Sequence, residues 1–561
     1  MKSIYTAVIC LIVFISGCDM FDANSLVEKP SHIMTADNLY VNYTGFETGL
    51  NGVYNGLRAE FGGGNNYRGA LMNTGTDVAA VNLHTPAGPW SLLRDWESTN
   101  NSSNGMLGIT FNWLYSTIND VNTIITRAEG ENIDWSGGSL NPEGNKNLVL
   151  AEARAIRAWA YRHLTYLWGD VPLSLEESTG STIRTDWVRA PVQQVREQII
   201  FDLKFAEQHI PIEPDLDGRF SKGAVQTYLA EMYLAVNKPD SSLLWSNKAI
   251  NTPEYQLITQ RYGTKANEPG VPFMDMFHDG NEDRSEGNTE ALWVWQYERD
   301  VTGGSGNMRG FTYAGLLRQL TRDGVQIITP TNERGNAWGT RRASLTRWAL
   351  QLFEPGDDRG SDFAIRSYYI LKDADQNTPY PADQLVLDYE YGDTIYFDDM
   401  SVDLSPEKED DRTMLWPWSR KLDAGTIPGA VFSSSSTYND IIYIRLAETY
   451  LLKAEAQYLL NDSPGAAMTI NEVRRRSNAS DITAGMIDMD FILDERAREL
   501  ALEEHRRYTL LRTGKWLERT RAHNNNGGQL ITARDTLYPI PHSVIEANTT
   551  AEMPQNEGYP Q

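Results

Sequence analysis

Of the 561 residues only two are cysteines, Cys10 and Cys18, and both lie in the first eighteen positions. Everything beyond them is without a disulfide, a thiolate metal site or a cysteine nucleophile. The eight histidines (His32, His84, His163, His209, His278, His505, His523, His542) are scattered, with no pair three or four residues apart. HExxH, GxSxG, GxGxxG and Walker spacings are absent as well, so the familiar metal, serine-hydrolase and nucleotide chemistries have no starting point. Positive charge is also short: 50 Lys and Arg stand against 75 Asp and Glu, a net charge of −25. Such a surface repels phosphate backbones, which excludes nucleic acid as a main partner and favours neutral ligands over anions. A mean hydropathy of −0.45 argues against a polytopic membrane protein.

The one conspicuous apolar run, Ile4 to Ile15, is twelve residues long. As a helix it spans about 18 Å, too short for a bilayer core of roughly 30 Å. With Lys2 before it, the run reads as the apolar part of a signal peptide. It ends in Phe14-Ile15-Ser16-Gly17-Cys18, which resembles a bacterial lipobox whose last residue is lipidated; an ordinary secretory signal with an incidental cysteine is the alternative. Acyl chains on Cys18 would anchor the protein, since stable anchoring takes more than one chain. The polar stretch Ala23 to Ser31 reads as a tether.

What is present is mostly helical periodicity. Val149, Ala153, Ile156, Ala160, Leu164 and Leu167 recur at steps of three or four and form one apolar stripe, which Gly169 and Pro172 bring to an end. Two stretches share a weak internal likeness: Tyr228–Ala249 around Lys238-Pro239-Asp240, and Tyr450–Val473 around Asp462-Ser463-Pro464-Gly465. Units of about 34 residues with small residues at the helix crossing suggest tetratricopeptide-like pairs. The expected fold is therefore mainly α, a superhelical scaffold of helix pairs with a few short strands. Three long stretches, roughly 60–105, 255–345 and 370–438, lack periodicity and are rich in Gly, Asn, Asp, Ser and aromatics. They read as ordered, functional loops.

Several segments, in order along nearly the whole chain, resemble the SusD/RagB family of surface nutrient-binding lipoproteins. They are the lipobox at Cys18, Gly75-Thr76-Asp77, Trp113-Leu114-Tyr115 with Ile118 and Asn122, and Arg154 through Pro172. Then come Gly218-Arg219 with Lys222 and Ala224, and Leu352 through Arg359. The C-terminal third adds Ile444 through Glu448, Ala454-Glu455-Ala456, Asn471 through Arg474, Glu495-Arg496, Glu499-Leu500, Arg506, Leu511 through Gly514, Tyr538 through Pro541, and Gln555 through Tyr559. The resemblance implies four tetratricopeptide-like pairs with the long loops forming a ligand face. It implies capture of oligosaccharides, or in one branch peptides, with no catalysis and no cofactor. It implies a SusC-like TonB-dependent transporter as partner, and an outer-membrane, lipid-anchored, surface-exposed location, with the membrane met through the lipid alone. The divisions expected are 1–17 as signal peptide, 18–31 as lipidated tether, and 32–290 and 291–561 as two parts packed into one fold. A surface glycoside hydrolase is the alternative from another class.

Arg154, Arg157, Glu448, Glu455, Glu495, Arg496, Glu499 and Arg506 fall on helices, where buried ion pairs fix packing; a catalytic carboxylate pair is the alternative. Trp113, Trp159 and Trp168 fall on helix stripes and read as core. The loop aromatics Tyr67, Trp90, Trp96, Trp295, Tyr297, Tyr313 and Trp338 are the candidate stacking surfaces, because a sugar ring presents a face of C–H groups that an aromatic ring can cover. Arg68, Asn73, Asp77, Asn82, His84, Asn336 and Arg341 are the candidate hydroxyl partners. Each aromatic could instead pin its own loop. Asp279 to Glu290 imitates a calcium loop, but Arg284 occupies the position that needs glycine, so no metal is expected and a polar turn before a strand at Ala291–Tyr297 is the better reading.

Overall fold

The computed structural model describes residues 35–62, 67–82, 89–313, 321–322, 325–326, 342–370, 394–396, 416–423 and 437–560. Helix α1 (Tyr43–Leu57) starts where the Asn42 side chain accepts the Gly45 N–H, and it buries Phe46, Leu50, Val53 and Leu57 on one face. Asn104 opens α2 (Gly105–Ala128) in the same manner, and Asn141, with Pro142 in the first turn, opens α3 (Pro142–Trp168). The predicted stripe of α3 is buried throughout, and the helix ends at Gly169, whose φ of 74° lies in the left-handed half of backbone space. Then follow α4 (Val192–His209), α5 (Lys222–Ala235) and α6 (Pro239–Ile250). The C-terminal third supplies α7 (Leu446–Leu459), α8 (Ser463–Arg476), α9 (Met489–Leu500), α10 (Arg506–Arg512), α11 (Trp516–His523) and α12 (His542–Ala547).

Each helix packs on the next from α2 through α6, and α7 packs on α6, α8 and α9. Both predicted pairs are present, α5 with α6 and α7 with α8. Each turns at an asparagine in left-handed conformation, Asn237 (φ 54°) and Asn461 (φ 63°). The chain is thus mainly helical, on tetratricopeptide-like pairs. Its described strands form short two-stranded antiparallel ladders, among them β1 (Ala79–Val81) with β3 (Ala343–Leu345) and β2 (Ala291–Trp295) with β4 (Ile441–Arg445). One hydrophobic cluster runs from Phe46 to Met553, so residues of both halves share a core.

The stretch 60–105 departs from its expected loop character. Its described residues hold short helices at Ala70–Asn73 and Trp96–Thr99, a 3-10 turn at Pro89–Leu93 and strand β1, and most of them are buried. Burial is possible because distant side chains satisfy its backbone. Asn524 donates to the Thr76 carbonyl (2.8 Å) and Asn526 to that of Val81 (3.1 Å). Gly75 is required there: its φ is 73°, and a Cβ would stand 2.8 Å from the Trp96 ring.

Candidate functional site

The structure relocates most of the predicted ligand residues. Asp77 is fully buried, and its carboxylate takes a bidentate grip from Arg506 (2.8 and 2.7 Å) plus a bond from Arg519 (2.9 Å). Burial alone would raise its pKa, but Arg506 and then Arg519 overcome that and hold it below the usual carboxylate range. Asp77 is therefore a packing anchor, correcting its assignment as a sugar ligand. Trp96 is also fully buried, edge-on to Trp516 at 5.6 Å with the Arg507 guanidinium above it, and belongs to the core. Asn82 is buried, its Oδ1 accepting from Ser344 across the β1–β3 ladder. Arg68 is half-buried, donating to the Ala59 carbonyl (2.7 Å) and lying over Trp113. His84, Asn336, Trp338 and Arg341 lie outside the described residues.

The remaining picks come together as an aromatic nest. Tyr67 and Trp90 stack in parallel, 5.7 Å between centroids and 4° between planes. Tyr313 stands edge-on to Tyr67 and shares a 2.9 Å hydrogen bond with Thr74. All three rings are buried, which corrects the reading of them as exposed platforms. Phe61 joins this nest to Trp295, 5.5 Å away. Trp295 is on β2, stacked on Tyr443 at 4.2 Å, and it also lines a cleft of about 410 Å³ with Asn51, Asn55, Arg58 and Gln296. Three buried polar atoms of the nest, the Tyr67 hydroxyl, Trp90 Nε1 and Asn73 Oδ1, have no hydrogen-bond partner among the described residues. Buried polar groups are ordinarily bonded, so unpaired ones next to a loop face mark where a ligand or water would serve. In sequence the nest borders three segments outside the described residues: 63–66 precede Tyr67, 83–88 precede the turn bearing Trp90, and 314–320 follow Tyr313.

The helix charges are scaffold, as expected. Arg157 grips Asp202 (2.8 Å), Arg512 grips Glu455, Arg496 binds Glu504 (2.6 Å) and Glu448, and Glu495 and Glu499 lie among several arginines. Arg154 is the exception, since its guanidinium stacks on Phe205 at 4.2 Å. Trp159 and Trp168 are core residues as predicted, whereas Trp113 is half-buried, its indole donating to the Gly56 carbonyl. A buried group built on Glu60 superficially looks catalytic. Tyr443 donates to one Glu60 oxygen (2.7 Å), and His505 Nε2 sits 3.0 Å from the other. Arg162 donates to His505 Nδ1 (2.9 Å), so the imidazole proton is on Nε2 and points at Glu60. These side chains are buried under one another and serve packing. No group of three metal-ligating side chains occurs among the described residues, and 279–290 forms the predicted polar turn, with Asp283 and Glu286 capping its 3-10 segment.

Beside that turn, Asp283 and Asp440 hydrogen-bond each other. Asp440 accepts the Tyr297 N–H (2.6 Å), and Asp283 accepts both bonds of the Gln296 amide (2.8 and 3.0 Å). Burial first pushes both carboxyls up; the charge of Asp283 adds to it at Asp440, to about 8, while Asp217 and Glu286 add to it at Asp283, to about 6. A carboxyl with a raised folded-state pKa binds more protons folded than unfolded, so stability falls as pH rises from about 4 to about 8. Asp440→Asn keeps the acceptor for Tyr297 and removes one charge. Its stability relative to the parent should rise between pH 5 and pH 9 in urea unfolding; a pH-independent difference would show that the pair carries no shared proton.

Two family models match the chain, one described as SusD family over residues 289–559 and one described as starch-binding, associating with the outer membrane, over residues 27–234. SusD-like protein P25 of Formosa agariphila is 24% identical, covering 90% of this chain and 88% of its own length. The starch-binding protein SusD of Bacteroides thetaiotaomicron is 36% identical over a shorter stretch, 22% of this chain and 23% of that protein. Among solved structures, a laminarin-binding SusD-like protein superposes with a TM-score of 0.67 at 21% identity, covering 92% of this chain and all of that one. With both halves matched and the helical scaffold shared, the chain belongs to the SusD family.

Proposed function

We propose that the protein is a non-catalytic, cell-surface lipoprotein that captures oligosaccharides and passes them to a SusC-like TonB-dependent outer-membrane transporter. The observation that carries the capture step is the aromatic nest Tyr67–Trp90–Tyr313, with its unpaired Trp90 Nε1 and Asn73 Oδ1, which in sequence borders the segment bearing His84. A neutral sugar suits a face bordered by these groups: amides and hydroxyls meet hydroxyls, and the −25 charge does not oppose an uncharged ligand. The names of the relatives support the same class, one binding starch and one laminarin.

Titration of purified protein with a panel of neutral glycans, run beside a reducing-sugar assay, tests the reading. Binding without release is the expected result, and sustained turnover that a single Asp or Glu change abolishes would overturn it. For the anchor, Cys18→Ala is expected to leave binding in solution unchanged while the protein leaves the membrane fraction and growth on the glycan stops. Normal membrane retention of that variant would refute the lipid attachment.

A further inference from the structure

Along the flank of α2, beside its core residues Phe111 and Ile118, lies a groove of about 660 Å³, lined also by the 172–187 segment, α12 and the residues that follow it. Its volume falls in the range of small-ligand sites, about 300–1,000 Å³. Its floor carries Asn112, Ser116 and Asp120, spaced at four-residue steps so that they share one face of α2. Asn112 and Ser116 are exposed and make no side-chain hydrogen bond within the described chain. The far wall is Trp187, half-buried and locked in place by two bonds with Asn548: its N–H donates to Oδ1 (2.7 Å), and its carbonyl accepts from Nδ2 (2.9 Å). Arg184 stacks over the Trp187 ring at 4.3 Å and uses only its Nε toward Asp186 (2.8 Å), leaving its terminal nitrogens as donors over the groove. Tyr115, its hydroxyl committed to the Pro172 carbonyl (2.7 Å), and Phe111 give the apolar floor between these polar groups.

From this juxtaposition we propose that the α2–α12 groove is a second saccharide-binding site, separate from the loop face and taking a neutral sugar unit. The Asn112 amide, the Ser116 hydroxyl and the terminal nitrogens of Arg184 match the hydroxyl rim of a sugar, and the aromatic floor matches its C–H face. Asp120 and Asp186 at the groove, within a chain of net charge −25, weigh against an anionic ligand. The site rests on the proposed glycan-binding function, and it would let one long chain touch the protein at two places, raising avidity without any new contact at the first.

The test uses the full mature chain with β-1,3- and α-1,4-linked glucose hexamers, read by calorimetric titration and by hydroxyl-radical footprinting of Trp187. Expected are protection of Trp187 by a hexamer that binds, and a loss of about fivefold or more in affinity for that component in Trp187→Ala, the scale of losing one stacking surface. Ser116→Tyr, which fills the groove from an exposed position, should give the same loss and keeps the test open if Trp187→Ala unfolds. Binding of a hexamer with Trp187 unprotected and Ser116→Tyr unaffected would overturn the second site while leaving the capture function standing. Absence of binding by either hexamer and by the wider glycan panel would remove the capture function and the groove with it.

Discussion

Glu499→Ala is expected to be among the most destabilising single changes in the molecule, costing at least about 3–5 kcal/mol, the scale of breaking a buried ion pair. The carboxylate receives Arg359 (3.0 Å), Arg445 (2.5 Å) and Arg476, and all four side chains are essentially without solvent exposure. Burial by itself would raise the Glu499 pKa; Arg476, then Arg445 and Arg359, overcome that and hold it far below the carboxylate range. Those arginines come from α8, from the end of β4 and from the turn at residues 358–360, so the one acid ties three elements to α9. With alanine there, Arg359 keeps Asp357 and Glu495, Arg445 keeps Glu290 and Glu503, and Arg476 keeps Glu290, but the three buried cations lose the one carboxylate they share. Glu499→Gln retains an acceptor oxygen and should lose less. Urea unfolding of the three proteins orders them, and an alanine variant within 1 kcal/mol of the parent, roughly the worth of an exposed pair, would show that the network is not a buried one. The same groups set acid sensitivity. Asp77, Glu231, Glu495, Glu503 and Glu504 are likewise held low by neighbouring arginines against the effect of burial. Depressed carboxyls give stability that is complete above their unfolded values near 4 and is lost as pH falls through the folded ones.

The pattern of what could be read from the residues follows the range of the interactions. Trp159 and Trp168 were legible as core because their neighbours along α3 repeat at helical spacing, and the two helix–turn–helix units were legible for the same reason. Strand β2 showed itself as a short apolar run, Ala291 to Trp295, behind a polar turn. Asp77 and Arg506 each stood out, yet nothing local pairs two residues 429 positions apart. Trp90 and Trp96 are flanked by Pro, Ser and Asp and read as loop residues; Tyr67 covers the first, while Trp516 and Arg507 cover the second from more than 400 positions away. Trp187 was missed for a different reason. It sits, like Trp90, in a polar stretch without periodicity, so the criterion that selected Trp90 applied to it equally. Only its exposure and its partners Arg184 and Asn548 separate the two.

Trp90→Ala and Trp338→Ala are expected to part company. Trp90 has only 2% of its surface exposed and stacks on Tyr67, so its removal opens a cavity in the nest and should cost about 3–5 kcal/mol of stability. Because the two residues are the roots of the segments around 63–66 and 83–88, glycan affinity should fall together with the melting temperature. Trp338, outside the described residues and flanked by Ala337 and Gly339, is proposed as a contact of the ligand itself. Its loss should cost about 1–3 kcal/mol of affinity, roughly five- to 150-fold in dissociation constant, with the melting temperature unchanged. Thermal melts beside calorimetric titration separate the two cases. A Trp338→Ala protein that melts early and a Trp90→Ala protein that melts normally but no longer binds would exchange their roles, placing the stacking surface in the nest rather than at Trp338. If both variants bind the glycan as tightly as the parent, the nest is packing alone, and capture must be sought at the 410 Å³ cleft beside Trp295 or in the groove on α2.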